Sequence, residues 1–114
     1  MDAHSGFHSL HEETATSLPV TGTLPEWLRG SLVRNGPGAF SFPSGGSVDH
    51  WFDGLAMVYR FTFDPAGAGN GPDTVHYRNR FLRTDAYDEA TNGQFDGGFA
   101  TGETTLRSRL AGFL

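Results

Sequence analysis

Two stretches of strict alternation constrain this chain more than any other feature. From Leu55 to Phe63, the side chains of Met57, Tyr59, Phe61 and Phe63 share one face, with Val58, Arg60 and Thr62 on the other. From Thr74 to Arg83, Val75, Tyr77, Asn79 and Phe81 alternate against His76, Arg78, Arg80 and Leu82. Extended backbone sends successive side chains to opposite faces, so a period of two predicts a half-buried β-strand in each run. The Gly- and Pro-rich segment from Asp64 to Asp73 joins them as a loop, and the two strands are expected to pair antiparallel. The outward Arg residues of the second run would then face carboxylates on a neighbouring strand.

The punctuation around these runs points the same way. Sixteen Gly and six Pro in 114 residues are more than a helical bundle tolerates, because Gly weakens a helix and Pro breaks it. Asp53-Gly54 suits a two-residue hairpin turn between a strand at 47–52 and the one at 55–63. Asn35-Gly36-Pro37-Gly38 is expected to end a further strand at 31–35 in a sharp turn. Pro25 to Leu28, followed by Gly30, has the signals of one helical turn. The expected product is an all-β antiparallel meander over 31–35, 47–52, 55–63 and 74–83. Asp85 is placed to cap a short helical turn over Ala86 to Ala90, and 92–102 reads as loop. Leu106, Leu110 and Phe113 then form the apolar stripe of a terminal helix. Residues 1–17 are polar and aperiodic and are expected to be a mobile tail, with order over 18–114.

Composition excludes several functions. The net charge is −5, with eight Arg and no Lys, so the basic footprint of a nucleic-acid binder is absent. There is no Cys, hence no disulfide framework, thiolate nucleophile or zinc-thiolate site. No apolar run approaches the ~20 residues of a spanning helix, and Met1 to Leu10 lacks the pattern of a secretory signal. A cytoplasmic location is expected.

Chemistry-bearing residues are sparse. His4, His8 and His11 have helical spacing, but nothing nearby would hold the rings as a metal site requires, so they read as part of the solvated tail. His50 stands three residues before Asp53 and offers a base or a ligand; a strand histidine satisfied by a backbone carbonyl is the plainer interpretation. His76 reads as an outward strand residue. Asp53 is explained by its turn, and Arg34 beside the Gly-Pro-Gly segment can tie loops together through its five donors. Trp27 and Trp51 suit either core packing or an aromatic platform for a flat ligand.

Taken in order, three blocks resemble one family. Gly22-Thr23-Leu24-Pro25-Glu26-Trp27-Leu28-Arg29-Gly30-Ser31-Leu32-Val33-Arg34-Asn35-Gly36-Pro37-Gly38 resembles the N-terminal signature of the carotenoid cleavage oxygenases. His50-Trp51-Phe52-Asp53-Gly54 is similar to the next block, and Tyr77-Arg78-Asn79-Arg80-Phe81-Leu82-Arg83-Thr84-Asp85-Ala86-Tyr87 to a third. The second and third look closest to the animal-type branch of carotene oxygenases and retinoid isomerase. Leu55-Ala56 stands where many plant and bacterial relatives carry a further acidic residue, and Tyr59 where they often carry His.

The resemblance implies a seven-bladed β-propeller with a ferrous iron on its axis. Four His from different blades hold that iron, several oriented by Glu, and dioxygen is inserted across a polyene double bond of a carotenoid or apocarotenoid. A blade is four strands, and a blade of the WD type takes about 40–45 residues, so the chain is expected to supply about two blades at most. Transferred residue by residue, the resemblance places the first iron ligand beyond Leu114. His50 matches a motif His that is no ligand, and His76 stands where the family has none. No metal, cofactor or catalytic residue is therefore assigned here. Arg34, Gly36, Pro37, Gly38, His50, Trp51, Phe52, Asp53, Gly54, Arg83 and Asp85 are expected to lock loops and blade edges. The missing blades become partners, and peripheral membrane contact through the terminal stripe fits the same expectation. The alternative is a small stand-alone β-domain that binds a ligand or partner through its aromatic faces.

Overall fold

The computed structural model describes residues 7–48, 50–68 and 71–94. Their elements are β1 (Ala15–Leu18), β2 (Gly30–Ala39), β3 (Leu55–Asp64), β4 (Thr74–Phe81) and α1 (Asp85–Asn92), with 3-10 turns at Trp51–Asp53 and Ala66–Ala68. The strands form one antiparallel sheet in the order β1-β4-β3-β2. The two alternating runs thus become neighbouring strands, as their pattern requires. Along β4, His76, Arg78 and Arg80 are exposed while Asn79 and Phe81 are buried.

Three expectations fail, each for a physical reason. The Asn35-Gly36-Pro37-Gly38 turn does not form, and β2 runs through it to Ala39. Pro lacks an N–H, which a central strand could not spare, but β2 lies at one end of the strand order, where no ladder partner is required on the open side. Among the described residues of 47–52 no strand forms either. The hairpin closes earlier, through Pro43 to Gly46: Val48 N–H donates to the Phe40 carbonyl (2.9 Å) and Phe42 N–H to the Gly46 carbonyl (3.0 Å). Gly45 and Gly46 make that turn possible, with φ of 97° and 95°, values that cost a residue with a Cβ. Gly54, by contrast, has φ −58°, so Asp53-Gly54 is not the hairpin turn.

The third concerns the N-terminal region, where Ala15–Leu18 is a strand rather than part of a tail. Ala15 to Leu18 pair with Arg78 to Val75 in antiparallel register. All four residues are exposed, so no hydrophobic pattern marks them. Backbone ladder bonds need none, and the Asn79 side chain completes the attachment. The turn expected at Pro25 to Leu28 is present, closed by Leu28 N–H to the Pro25 carbonyl at 2.9 Å. The terminal helix with Leu106, Leu110 and Phe113 falls outside the described residues, as does His4.

The chain divides into two compact units. One takes Glu12–Gly36 and Met57–Arg80, and among its described residues Met57, Pro65 and Asn79 are buried. The Asn79 amide is 2% exposed and fully used. Its Nδ2 donates to the Glu12 carbonyl (3.0 Å) and to Met57 Sδ (3.3 Å), while Oδ1 accepts from Thr14 N–H (2.5 Å). Asn79 N–H donates to the Thr14 carbonyl at 3.0 Å. The Phe61 and Tyr77 rings lie tilted with centroids 5.0 Å apart, and burial pushes the Tyr77 phenol up, with Tyr59 adding to the shift. In the same unit Asp73 fastens two segments: its carboxylate accepts from Ala66 N–H and from Leu24 N–H, both at 2.7 Å. An ion pair joins Arg29 to Asp64 at 2.7 Å, with both side chains about half exposed, where such pairs contribute little.

The other unit takes Met1–His11, Pro37–Ala56 and Phe81–Leu114. Among its described residues Ala39, Phe42, Leu55, Phe81 and Ala90 are buried. Leu10 N–H donates to the Gly38 carbonyl at 2.7 Å. Helix α1 is docked by the Ser44 hydroxyl, which donates to the Ala90 carbonyl.

Two variants test these attachments. Asn79→Ala leaves the Thr14 N–H and Glu12 carbonyl without their amide partner and is expected to cost about 1–3 kcal/mol, the penalty of unmade buried hydrogen bonds. Denaturant unfolding reads the loss, and hydrogen exchange at Thr14 and Asn79 should quicken. For Asp73, the backbone donors Ala66 and then Leu24 hold the carboxyl below its ordinary value of 3.8. The folded state therefore releases its proton more readily than the unfolded one, and the stabilisation is present above pH 3.8 and lost as pH falls through the lower folded value. Acid titrations of the wild type and of Asp73→Ala should run apart above that pH and converge below it.

Candidate functional site

The motif residues of the first two blocks meet at Gly54. A Cβ placed there would lie 2.8 Å from Pro37 Cβ and 3.0 Å from Cδ1 and Cε1 of the Phe40 ring. Glycine is required at this position by close approach, since its backbone conformation is open to any residue. Pro37 supplies a rigid surface for that approach, and Gly38 beside it is buried.

The second block folds as a capped 3-10 turn. His50 occupies the N-cap: its Nδ1 accepts from Phe52 N–H (3.2 Å), and its carbonyl accepts from Asp53 N–H (2.9 Å). His50 is therefore a capping residue, which corrects the expectation of a strand histidine satisfied by a backbone carbonyl. Acceptance through Nδ1 leaves the ring proton on Nε2 in the neutral form. Gly54 N–H donates back to the Trp51 carbonyl at 3.4 Å. Trp51 and Phe52 rings lie 3.8 Å apart between centroids, and His50 lies 5.0 Å from Phe52 and 6.0 Å from Trp51. Trp51, Phe52 and, in the other unit, Trp27 are all exposed, so the core role considered for the two Trp is not taken up.

The third block carries the chain from β4 into α1. Leu82 N–H donates to the Ala56 carbonyl at 2.9 Å. Thr84, not Asp85, caps the helix: its Oγ1 accepts from Tyr87 N–H at 3.3 Å. Asp85 is instead the first helical residue, and with Asp88 it lies in the first turn, where a carboxylate favours the positive end of the helix dipole. Gly93 ends the helix with φ 73°. The Arg83 guanidinium lies 4.4 Å over the Tyr87 ring, and Tyr87 packs on Phe81 at 5.4 Å. Phe81, Tyr87, Leu55, Phe42 and Ala39 line a small cavity of about 60 Å³ in this unit.

Of the residues expected to be structural, Gly54 lies against Pro37, His50 caps the 3-10 turn, Arg83 lies over the Tyr87 ring and Asp85 lies in the first turn of α1. Arg34 is exposed on β2 and makes no ion pair among the described residues. Asn79, Asp73 and Thr84 were not singled out from the sequence. A signal existed for two of them: Asn79 is polar on an otherwise apolar face, and Thr84 has the N-cap residue type. Asp73 follows Gly71-Pro72 like any loop aspartate and gave none.

Among the described residues no three His, Asp or Glu side chains converge as a metal site, and His50 and His76 each commit Nδ1 to a neighbour. The His side chains among the described residues do not form the four-imidazole iron centre that the resemblance implies. Among the described residues no helix is long and apolar enough to cross a membrane.

A family model described as retinal pigment epithelial membrane protein matches residues 7–111. Human β,β-carotene 15,15'-dioxygenase is 42% identical over 87 residues, which cover 76% of this chain and 14% of that protein. The Gallus gallus β,β-carotene 15,15'-dioxygenase is 47% identical over 68 residues, covering 60% of this chain and 11% of the relative. Among solved structures, a variant of the Synechocystis apocarotenoid oxygenase matches with TM-score 0.67 at 32% identity, over 80% of this chain and 18% of that one. A cobalt-substituted form of the Synechocystis enzyme matches with TM-score 0.65 at 33% identity, over 80% of this chain and 18% of that one. The antiparallel sheet is that of the N-terminal part of the propeller oxygenases. The chain belongs to the carotenoid cleavage oxygenase family. It spans 14% of the length of its human relative.

Gly54→Ala should expose the tightest point of this junction. The added methyl has no room beside Pro37 and Phe40, and overpacking of this kind costs about 1–3 kcal/mol. Gly36→Ala, with nothing within 4 Å of its Cβ, should stay within about 0.5 kcal/mol of the parent. Paired thermal or denaturant melts decide the contrast, and equal losses would refute the close-approach explanation.

Proposed function

We propose that this chain is the N-terminal segment of a non-haem iron(II) dioxygenase that cleaves a double bond of a carotenoid or apocarotenoid. Dioxygen is consumed, the C=C bond is broken, and each carbon leaves as a carbonyl. Iron, bound by imidazoles elsewhere in the full protein, supplies the oxygen chemistry. The residues of this chain give that site a frame: a sheet, a capped turn at His50 and a docked helix. The supporting observation is that two motif blocks converge at Gly54 with no room for a side chain, in a chain 42% identical over 87 residues to a human carotene dioxygenase.

On this proposal the remaining blades of a seven-bladed propeller are the chain's obligatory partner, and the segment alone is inactive. A cytoplasmic location with peripheral membrane contact belongs to the same proposal. Exposure of Trp27 and Trp51 is also what a stand-alone ligand-binding domain would show. Saturable quenching of Trp fluorescence by an iron-independent ligand would favour that second reading.

A graft provides the test. Residues 7–94 of this chain replace the matching segment of the Synechocystis apocarotenoid oxygenase, and iron content and apocarotenoid cleavage are measured. The graft should load iron and cleave, whereas the 114-residue chain alone should do neither. Stoichiometric iron and cleavage by the chain alone, or a folded graft that loads iron without cleaving, would overturn the proposal.

A further inference from the structure

The outward face of β1, β4 and β3 carries an open groove of about 320 Å³ that the frame described above does not use. Arg60, His76 and Arg78 line it, with Ala15 and Ser17. The strand register explains its shape. Ala15 lies opposite Arg78 and Ser17 opposite His76, so the edge strand sets small side chains against long ones and leaves space between them. Arg60 comes from β3, the strand on the other side of β4.

The charge in this groove is out of keeping with the chain. The protein has thirteen acidic residues and a net charge of −5, yet among the described residues neither Arg60 nor Arg78 makes an ion pair or a side-chain hydrogen bond. Like charges on neighbouring strands oppose pairing, and an anion between them removes the penalty. The third polar group is already oriented, because Ser17 Oγ lies 3.0 Å from His76 Nδ1. With the hydroxyl donating to Nδ1, Nε2 carries the proton and becomes a further donor.

We infer that this groove binds a phosphate group through Arg60, Arg78 and His76. A phosphate monoester offers acceptor oxygens only, and the planar forks of two guanidinium groups match them in pairs. Both a soluble phosphate compound and a lipid headgroup present that chemistry. The inference is independent of the oxygenase proposal and needs neither iron nor a carotenoid.

The test is a titration of the 114-residue chain with inorganic phosphate at constant ionic strength, followed by amide NMR. The expected result is a saturable shift at Ser17, His76 and Arg78. Arg60→Gln and Arg78→Gln should each weaken binding about tenfold, the scale of one charge-assisted hydrogen bond, with the melting temperature unchanged. Arg60→Lys, which keeps the charge and loses the fork, should fall between. Co-sedimentation with phosphatidylcholine vesicles, with and without phosphatidate, assigns the source: retention that requires phosphatidate and both Arg indicates a headgroup, and its absence beside phosphate binding indicates a soluble ligand. If neither phosphate nor phosphatidate binds, or if the double Arg→Gln variant binds undiminished, the inference is overturned.

Discussion

A buried amide has to satisfy both of its ends, and Asn79 does so by taking hold of a segment that would otherwise have no claim on the sheet. Its carbonyl end accepts from Thr14 and its amino end donates to the Glu12 carbonyl. Leaving either end unmade away from water costs more than one exposed hydrogen bond returns. The requirement fixes where residues 12–14 must lie, and the ladder from Ala15 to Leu18 follows from that anchor. The outermost strand is thus specified by one polar side chain in the neighbouring strand rather than by any hydrophobic pattern of its own.

A second constraint, within the other unit, is steric. Gly54 admits Pro37 and the Phe40 ring at distances where a methyl group would overlap them. Such an approach needs glycine without needing positive φ, and it explains why an Asp-Gly dipeptide here makes no hairpin. The His50 cap and the 3-10 turn set the direction in which β3 leaves, and the hairpin duty passes to Gly45 and Gly46, whose positive φ values do require glycine.

Legibility in the sequence followed the kind of force involved. β3 and β4 were readable because burial acts on alternate side chains, and alternation is written in the residues. The family was readable because its blocks combine turn residues, packing residues and spacing. β1 was not, since its exposed residues meet the sheet through backbone groups, and its anchor sits more than sixty residues away. The continuation of β2 through Pro37 was hidden for a related reason: whether a Pro interrupts a strand depends on which side of the sheet it faces, a property of topology and not of local sequence. The helix cap was misplaced by one residue because Thr84 and Asp85 are both competent caps, and backbone geometry chose between them.

That pattern bears on what kind of function the segment supports. Where its motif residues act on one another, they cap turns or admit close packing, and the polar side chains of His50 and Thr84 accept from backbone N–H groups. His50 illustrates the point: an imidazole whose Nδ1 caps a turn has only Nε2 left, and its neighbours Trp51 and Phe52 bring no further donor. A metal that activates dioxygen needs several nitrogen ligands converging with open positions beside them. Rigidity in this segment comes from constraints like Gly54 and Asn79, which forbid alternatives instead of adding attraction. Among the described residues, the motifs that identify the family in this stretch therefore act through a capped turn, a close approach and a helix end.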